Sequence, residues 1–430
     1  MYRAKRLAHV LTVLAIALLV VSGCVPKIAA KPTHAPVTLR FGYREYTADF
    51  ENLLAEFQEE YSWVTVEPVM FNRFGYDDLE RTVENGGVDV FCYGTSALGL
   101  AGEGLLHPLD DMQVAAWDDY RDDYYDNAWE ALTVDGQLWG VPAALDMMVA
   151  YVNLDQAKAL DVDVPQADWD LFQFLDLAMQ MNYPEGTPYS SSVKLWGLCT
   201  DPRNIDPVLF IYLYGGSIVD DLNSPTEPTL DNIRTIEAVD WYVSLFNDYQ
   251  VAPDVNTIRT AFRRGGVYEA AARGVCGTWL GWYSNRGGMD IGYDWGLDYA
   301  ILPMPSVQVD FGMGDVDGYF ITKDCPDPEA ALELAQFLGN HTQSSGTKLP
   351  VRKSLTASDE YKTLVGDELH EQVQTLADDL IIIPVETMAM LEGVGGALVE
   401  AVQYCIEQDI PSDGPLGEAQ REVEAIMAAQ

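Results

Sequence analysis

Between Val37 and Phe91 the chain alternates between two hydrophobic periods, and this alternation restricts its fold more than any other feature. Val37-Thr38-Leu39-Arg40-Phe41 is rich in β-formers with apolar residues at every second place, which predicts a strand. Phe50, Leu53, Leu54 and Phe57 then recur at helical spacing within 46–60. Val64-Thr65-Val66 predicts a second strand, and 76–85 a second helix stopped at Gly86-Gly87. Val88-Asp89-Val90-Phe91 predicts a short buried strand. Strands that take turns with helices imply βαβ units, hence an α/β fold built on mainly parallel sheet.

The length of 430 residues suits two or three such units, and a hydrophobic share of 48% is ample for their cores. The net charge of −42 makes nucleic acid a poor partner, because phosphate binding depends on Lys and Arg. Its simplest consequence is a solvated, self-repelling surface. The stretch 110–126 is dense in Asp and aromatic residues but lacks the spacing and the glycine of an EF-hand, so a solvated helical face is expected there.

The first residues read as an export signal. Arg3, Lys5 and Arg6 precede an apolar run from Leu7 to Val21, and the small pair Ser22-Gly23 leads into Cys24. That layout resembles the bacterial lipobox, in which the cysteine thiol is acylated and becomes the mature N-terminus. It implies a signal peptide over 1–23, a Pro-containing tether over 24–36, and a protein held at the cell membrane by lipid. No later stretch is long and apolar enough to span a bilayer. The cysteines beyond Cys24 are odd in number, so pairing cannot be complete within one chain and is not readable from sequence. There is no CxxC, no HExxH and no Cys/His cluster, so neither a metal nor a cofactor is expected.

Residues 134–155 are the most informative. Asp135-Gly136 predicts a turn, Trp139-Gly140-Val141 a strand ended by Pro142 and a loop, and Met148 to Val152 a further strand. Asn153-Leu154-Asp155 then opens a helix. Gly136, Gly140, Val141 and Pro142, followed by Tyr151, Asn153 and Asp155, resemble the family 1 extracellular solute-binding proteins of ATP-driven importers, the maltose-binding-like group. The resemblance continues in order through Asp89, Pro165 with Trp169-Asp170, Tyr214-Gly215-Gly216, Ala300 to Pro305, Gly318 to Ile321, Asp327 to Leu338 and Lys348 to Arg352. It departs at Val88, at Asp168 and over Ala271 to Thr278.

The resemblance implies a two-lobe periplasmic-binding-protein-like fold with the ligand in the cleft between lobes. One lobe would take 37–142 and 300–349, the other 143–299 and 350–430, with hinges near Pro142, Pro305 and Pro350. It also implies a carbohydrate ligand, delivery to the permease subunits of an ABC importer, and no catalysis. A sugar needs flat rings for its C–H faces and polar side chains for its hydroxyls. Candidates are Tyr43, Tyr93, Trp279 and Trp282 for the faces, and Asp146, Asp317 and Arg352 for the rim. Each aromatic has a core alternative, and Asp146 has a turn-capping one. Two other functions compete: the same fold tuned to a polyamine, metal complex or sugar phosphate, and a secreted glycosidase with paired carboxylates. No Ser-His-Asp signature, G-x-S-x-G or phosphate loop in the right context is found.

Overall fold

The structure is a computed structural model and describes residues 34–44, 50–71, 76–110, 112, 121–165, 169–183, 194–222, 224–262, 266–288, 294–305, 312–377, 380–383 and 385–428. The signal run, Cys24, Asp168 and most of the Asp-rich stretch lie outside these residues. None of the described helices is long and apolar enough to cross a membrane.

The opening alternation folds as its periods dictate. Strand β1 (Val37–Arg44) buries Leu39, Phe41 and Tyr43 at successive second places. Helix α1 (Phe50–Glu60) buries Phe50, Leu53, Leu54 and Phe57, and the Phe50 ring meets Phe41 edge-on with centroids 5.1 Å apart. Strand β2 (Val64–Phe71) and helix α2 (Tyr76–Glu84) follow, and the chain leaves α2 through Gly86 at φ +61°, a conformation that favours glycine. Strand β3 (Val90–Gly94) is buried throughout and runs parallel to β1, with Phe41 opposite Val90. Just before it, the Asp89 carboxylate accepts from the Arg40 backbone N–H (2.7 Å) and Nε (2.9 Å), which fixes the register of the pair.

Beyond the small hairpin β4 (Thr133–Val134) and β5 (Gln137–Leu138), the chain enters β6 (Gly140–Asn153), one strand of 14 residues, all of them buried. Asn153 ends it by accepting the Gln156 N–H at 2.9 Å, the N-cap expected of a helix start. Helix α3 (Leu171–Met181) opens on a reciprocal capping box between Asp170 and Gln173. Then come β7 (Trp196–Cys199), α4 (Asp206–Tyr214), α5 (Ile233–Asn247), α6 (Gly266–Ala272), β8 (Cys276–Trp282) and β9 (Tyr299–Leu302). The chain closes with β10 (Gly312–Ile321), α7 (Pro328–Gly339), β11 (Leu349–Pro350), β12 (Leu380–Ile382), α8 (Val385–Gln408) and α9 (Asp413–Met427).

Ten strands form one sheet in the order β2-β1-β3-β10-β6-β8-β7, with β11 and β9 also on β6 and β12 on β10. The sheet is mixed, where the alternation predicts a mainly parallel one. β1/β3, β7/β8 and β10/β12 are parallel, but β10 lies between β3 and β6 and runs against both. β6 has two sets of partners. Gly140 to Met147 face β10, and Met148 to Val152 face β8.

The break expected after Pro142 does not occur. The β10 ladder shifts between Asp317 and Gly318, which pair with Ala144 and Pro142 and leave Ala143 unmatched. This bulge lets a residue without an N–H lie inside a central strand. Pro350 pairs with Ala144 across β11, and Pro305 follows β9, so all three expected hinge prolines lie near β6 or the end of a strand paired to it.

The second half of the sheet packs on a core that includes Trp169, Phe174, Phe210, Tyr242, Leu398 and Val402. At its edge, Cys199 of β7 is bonded to Cys276 of β8, 77 residues further along the chain, with Cα atoms 5.5 Å apart. Cys92, Cys325 and Cys405 are buried free thiols. Closing a loop of that length removes about 4.5 kcal/mol of chain entropy from the unfolded state. The double substitution Cys199→Ser with Cys276→Ser is therefore expected to lower denaturant stability by an amount on that order. Added reductant should lower the wild type similarly and leave the double variant unchanged.

Candidate functional site

The C-terminal ends of β1 and β3 meet β10, β6 and the residue before β11 at a cluster of charges in which Asp317 and Asp146 are buried. Asp315 and Asp317, two apart on β10, point from the same face because side chains alternate along a strand. Lys348 Nζ lies 2.9 Å from Asp317 and 3.8 Å from Asp315, and Arg44 Nη2 reaches Asp317 at 3.3 Å. The Arg44 guanidinium also covers the Tyr93 ring at 4.8 Å, and Thr95 donates to Asp315 at 3.4 Å. Asp146 is the direct partner of Asp315 across the β6/β10 ladder. Its Oδ1 accepts two backbone N–H groups at 3.0 Å, from Met147 and from Ser284.

These groups do not share one electrostatic state. Burial works to raise the Asp317 carboxyl, but Lys348 and Arg44 outweigh it and hold it below the ordinary value. Burial prevails at Asp315, which is raised, and at Asp146, which is pushed up to about 6 despite Lys348 and the bonds from Ser284. Burial alone would lower Lys348, yet Asp317, Asp315 and Asp146 together raise it.

The last residue of β8, Trp282, stands at a cleft of about 430 Å³. Trp282 forms part of its wall, with Tyr268, Asp201, Arg203, Asn204 and Asp206. Arg203 holds Asp201 through Nε (2.8 Å) and Nη2 (2.7 Å). Asp206 accepts from the Thr200 hydroxyl (2.7 Å) and the Asp201 N–H (2.8 Å), and desolvation raises it to about 6. Tyr268 accepts from Asn285 Nδ2 at 2.9 Å, and burial pushes its hydroxyl up to about 12. Consecutive residues after Tyr283 are thus fastened to different elements: Ser284 to β6, Asn285 to α6, and Arg286 to the Thr347 carbonyl.

The structure separates the expected site residues. Tyr93, Asp146 and Asp317 belong to the charge cluster, and Trp282 lines the cleft. Trp279 is fully buried: its ring stacks on Tyr151 (5.3 Å, 14°) and meets Trp295 edge-on (5.1 Å), which leaves no face for a ligand. Three strand positions after it, Trp282 projects from the opposite face of β8. Tyr43 is buried between Phe41 and Phe50, the core-capping position. Asp146 gives its oxygen to backbone N–H groups. Arg352 is tied to Asp123 at 2.7 Å, where it joins two chain segments away from the charge cluster.

Asp315, Arg44, Tyr268 and the Asp201–Arg203 pair are absent from the sequence reading, where Lys348 figures only in a matching motif and not as a site residue. Gly314-Asp315-Val316-Asp317-Gly318 did carry a signal, since alternate carboxylates in a strand share a face. Nothing in the sequence marks Arg44 or Tyr268.

The model of the bacterial extracellular solute-binding proteins matches residues 43–344. Solved structures share the fold. The sugar-binding protein MalE from Xanthomonas citri is 16% identical, with 91% of this chain and 98% of that one covered and a TM-score of 0.73. An ABC substrate-binding protein from Listeria monocytogenes in complex with cycloalternan is 15% identical, with 91% and 99% covered and a TM-score of 0.71. UgpB from Mycobacterium tuberculosis in complex with glycerophosphocholine is 15% identical, with 92% and 99% covered and a TM-score of 0.70. At these identities the likeness is one of fold: two α/β lobes of the periplasmic-binding-protein kind.

Lys348 is the common partner of the buried carboxylates. Removing one member of a buried ion pair strands the other, at a cost of about 3–5 kcal/mol. Lys348→Met is expected to lose stability in that range by denaturant unfolding. Adding Asp317→Asn should restore part of it, and a Lys348→Met variant as stable as the wild type would show that the carboxylates do not depend on this cation.

Proposed function

The chain belongs to the bacterial extracellular solute-binding proteins, the solute receptors of ABC importers, and we propose that its solute is a sugar or oligosaccharide held beside Trp282. The observation that carries this reading is the make-up of the cleft. A half-buried indole stands next to a ring of polar side chains, Asp201, Arg203, Asn204 and Asp206. A pyranose offers the same two features, an apolar C–H face and a rim of hydroxyls. The ionised groups of the rim already have partners, so an uncharged polyhydroxylated ligand suits it better than a free ion.

The lobes are taken to part where β6 exchanges partners, between Met147 and Met148. Pro142 and Pro350 stand close to that exchange, on the ladders that flank β6, and Pro305 follows β9. Ligand that touches both lobes binds the closed arrangement better and draws the population towards it. Export and a lipid anchor on Cys24 place this capture step outside the cytoplasm, beside the permease. The mature protein recovered from membranes should therefore begin at an acylated Cys24, and an intact mass without the lipid would refute the anchor.

A sugar face covering roughly 80–100 Å² of indole is worth about 2 kcal/mol, or about 30-fold in affinity. Calorimetry with maltotetraose, ribitol, glycerophosphocholine and spermidine tests the ligand class. Trp282→Ala should weaken binding of the responding sugar by about 30-fold with thermal stability nearly intact. Trp279→Ala should instead lose about 3–5 kcal/mol of folding stability, as a core indole does. Binding of spermidine with no response to any sugar would sink the carbohydrate reading.

A further inference from the structure

The β6/β8 ladder stops at the pair Met148–Trp282, so the chain beyond Trp282 needs another hold if the indole is to keep its angle. Asp146 supplies one. It is only 4% exposed and stands on β6 immediately before the strand exchanges partners. Its Oδ1 takes the Ser284 N–H at 3.0 Å, two positions past Trp282, and the neighbouring Met147 N–H at the same distance. A carboxylate buried this deeply and aimed at two backbone donors is poorly placed to meet a sugar hydroxyl.

We propose that Asp146 is a positioning residue for the ligand site, a buried carboxylate on the crossing strand that holds the Ser284 backbone and with it the Trp282 wall. This rests on the reading of Trp282 as the ligand face. The hold depends on charge. A backbone N–H bonded to a carboxylate is bound more strongly than one bonded to a neutral acid. When Asp146 takes a proton from solvent, the bond from Ser284 weakens and the attraction from Lys348 is lost.

The surroundings fix where this happens. Lys348 favours the ionised form, and Asp315, directly opposite, opposes it. Tyr151, Tyr268 and Tyr283 are close enough to feel the carboxylate's charge, and burial keeps their hydroxyls protonated throughout the range concerned. Burial leaves Asp146 titrating at about 6, so it is ionised above that pH and neutral below it. Ligand affinity is therefore expected to fall on acidification.

The test begins without ligand. In the full chain, the Ser284 amide and Trp282 indole N–H resonances are followed from pH 7.5 to 5. Both should move together with a midpoint near 6 and stay still in Asp146→Asn, which keeps the shape but cannot ionise. Asp315→Asn should lower the midpoint without abolishing it. Maltotetraose affinity should fall about fivefold over the same range in the wild type, and be weak and flat with pH in Asp146→Asn. Resonances that ignore pH, or that move equally in Asp146→Asn, overturn the proposal. So does an affinity profile that is the same in both proteins. If maltotetraose does not bind, the sugar that responds in calorimetry takes its place; if no sugar responds, the sugar reading fails, while the two resonances still decide the role of Asp146.

Discussion

A strand of 14 residues with every side chain buried leaves its backbone no water to bond with. β6 therefore has to find protein partners along both edges and over its whole length, and the rest of the sheet is arranged to provide them. β10 and β11 flank its first part, β8 and β9 its second. The antiparallel strands that make the sheet mixed are the ones that answer this demand. The bulge at Ala143 answers it too, since the one residue of β6 that cannot donate is met by a local shift in the ladder rather than by a break.

The same strand decides where charge collects. The chain has far more acids than bases, so its net field repels itself over most of the surface. Two of its few cations, Arg44 and Lys348, are placed instead among carboxylates of β6 and β10. A third, Arg286, is buried against the Tyr283 ring at 4.0 Å and bonded to main-chain carbonyls. Buried ion pairs add little to stability over apolar packing, but they are exacting about geometry. Here they tie the ends of β1 and β3 to the strands paired with β6. The cleft wall is packed on the core through Met148, Leu280 and Trp282, and the links from that junction hold the segment beyond it.

Legibility in the sequence followed how local each cause was. The stripe Phe50, Leu53, Leu54, Phe57 and the cap at Asn153 depend on neighbours a few residues away, and each stands where its pattern put it. Order of motifs along the chain was enough for the family, because order survives where single motifs are weak. Continuity of β6 was not legible, since Pro142 argues locally for a break and only the partner strand supplies the bulge. The Cys199–Cys276 bond, the choice between Trp279 and Trp282, and the diversion of Arg352 to Asp123 are likewise settled by contacts distant in sequence. Trp279 shows the difficulty plainly. Three positions separate it from Trp282, which puts them on opposite faces of a strand, but which face is buried depends on Tyr151 and Trp295.

Any rearrangement of the two halves of this sheet has to respect its ladders. Breaking β6/β10 or β6/β8 would expose paired backbone groups inside a dry core, so both must move as units. On the proposed reading, the change of direction falls to the few bonds between Met147 and Met148, where the partner set changes, and to the links that cross this point. Asp146 to Ser284 is one such link, whereas Tyr151 to the Trp282 carbonyl, at 2.7 Å, lies within the β6/β8 half. The two differ in chemistry. The phenol stays protonated at any physiological pH, because burial pushes it well above its ordinary value, whereas the carboxylate titrates within the range cells meet. Trp282 and the residues just after it are thus held by one bond indifferent to proton concentration and one sensitive to it. The first keeps the β8 wall on the crossing strand while the second sets how firmly the segment beyond it is held.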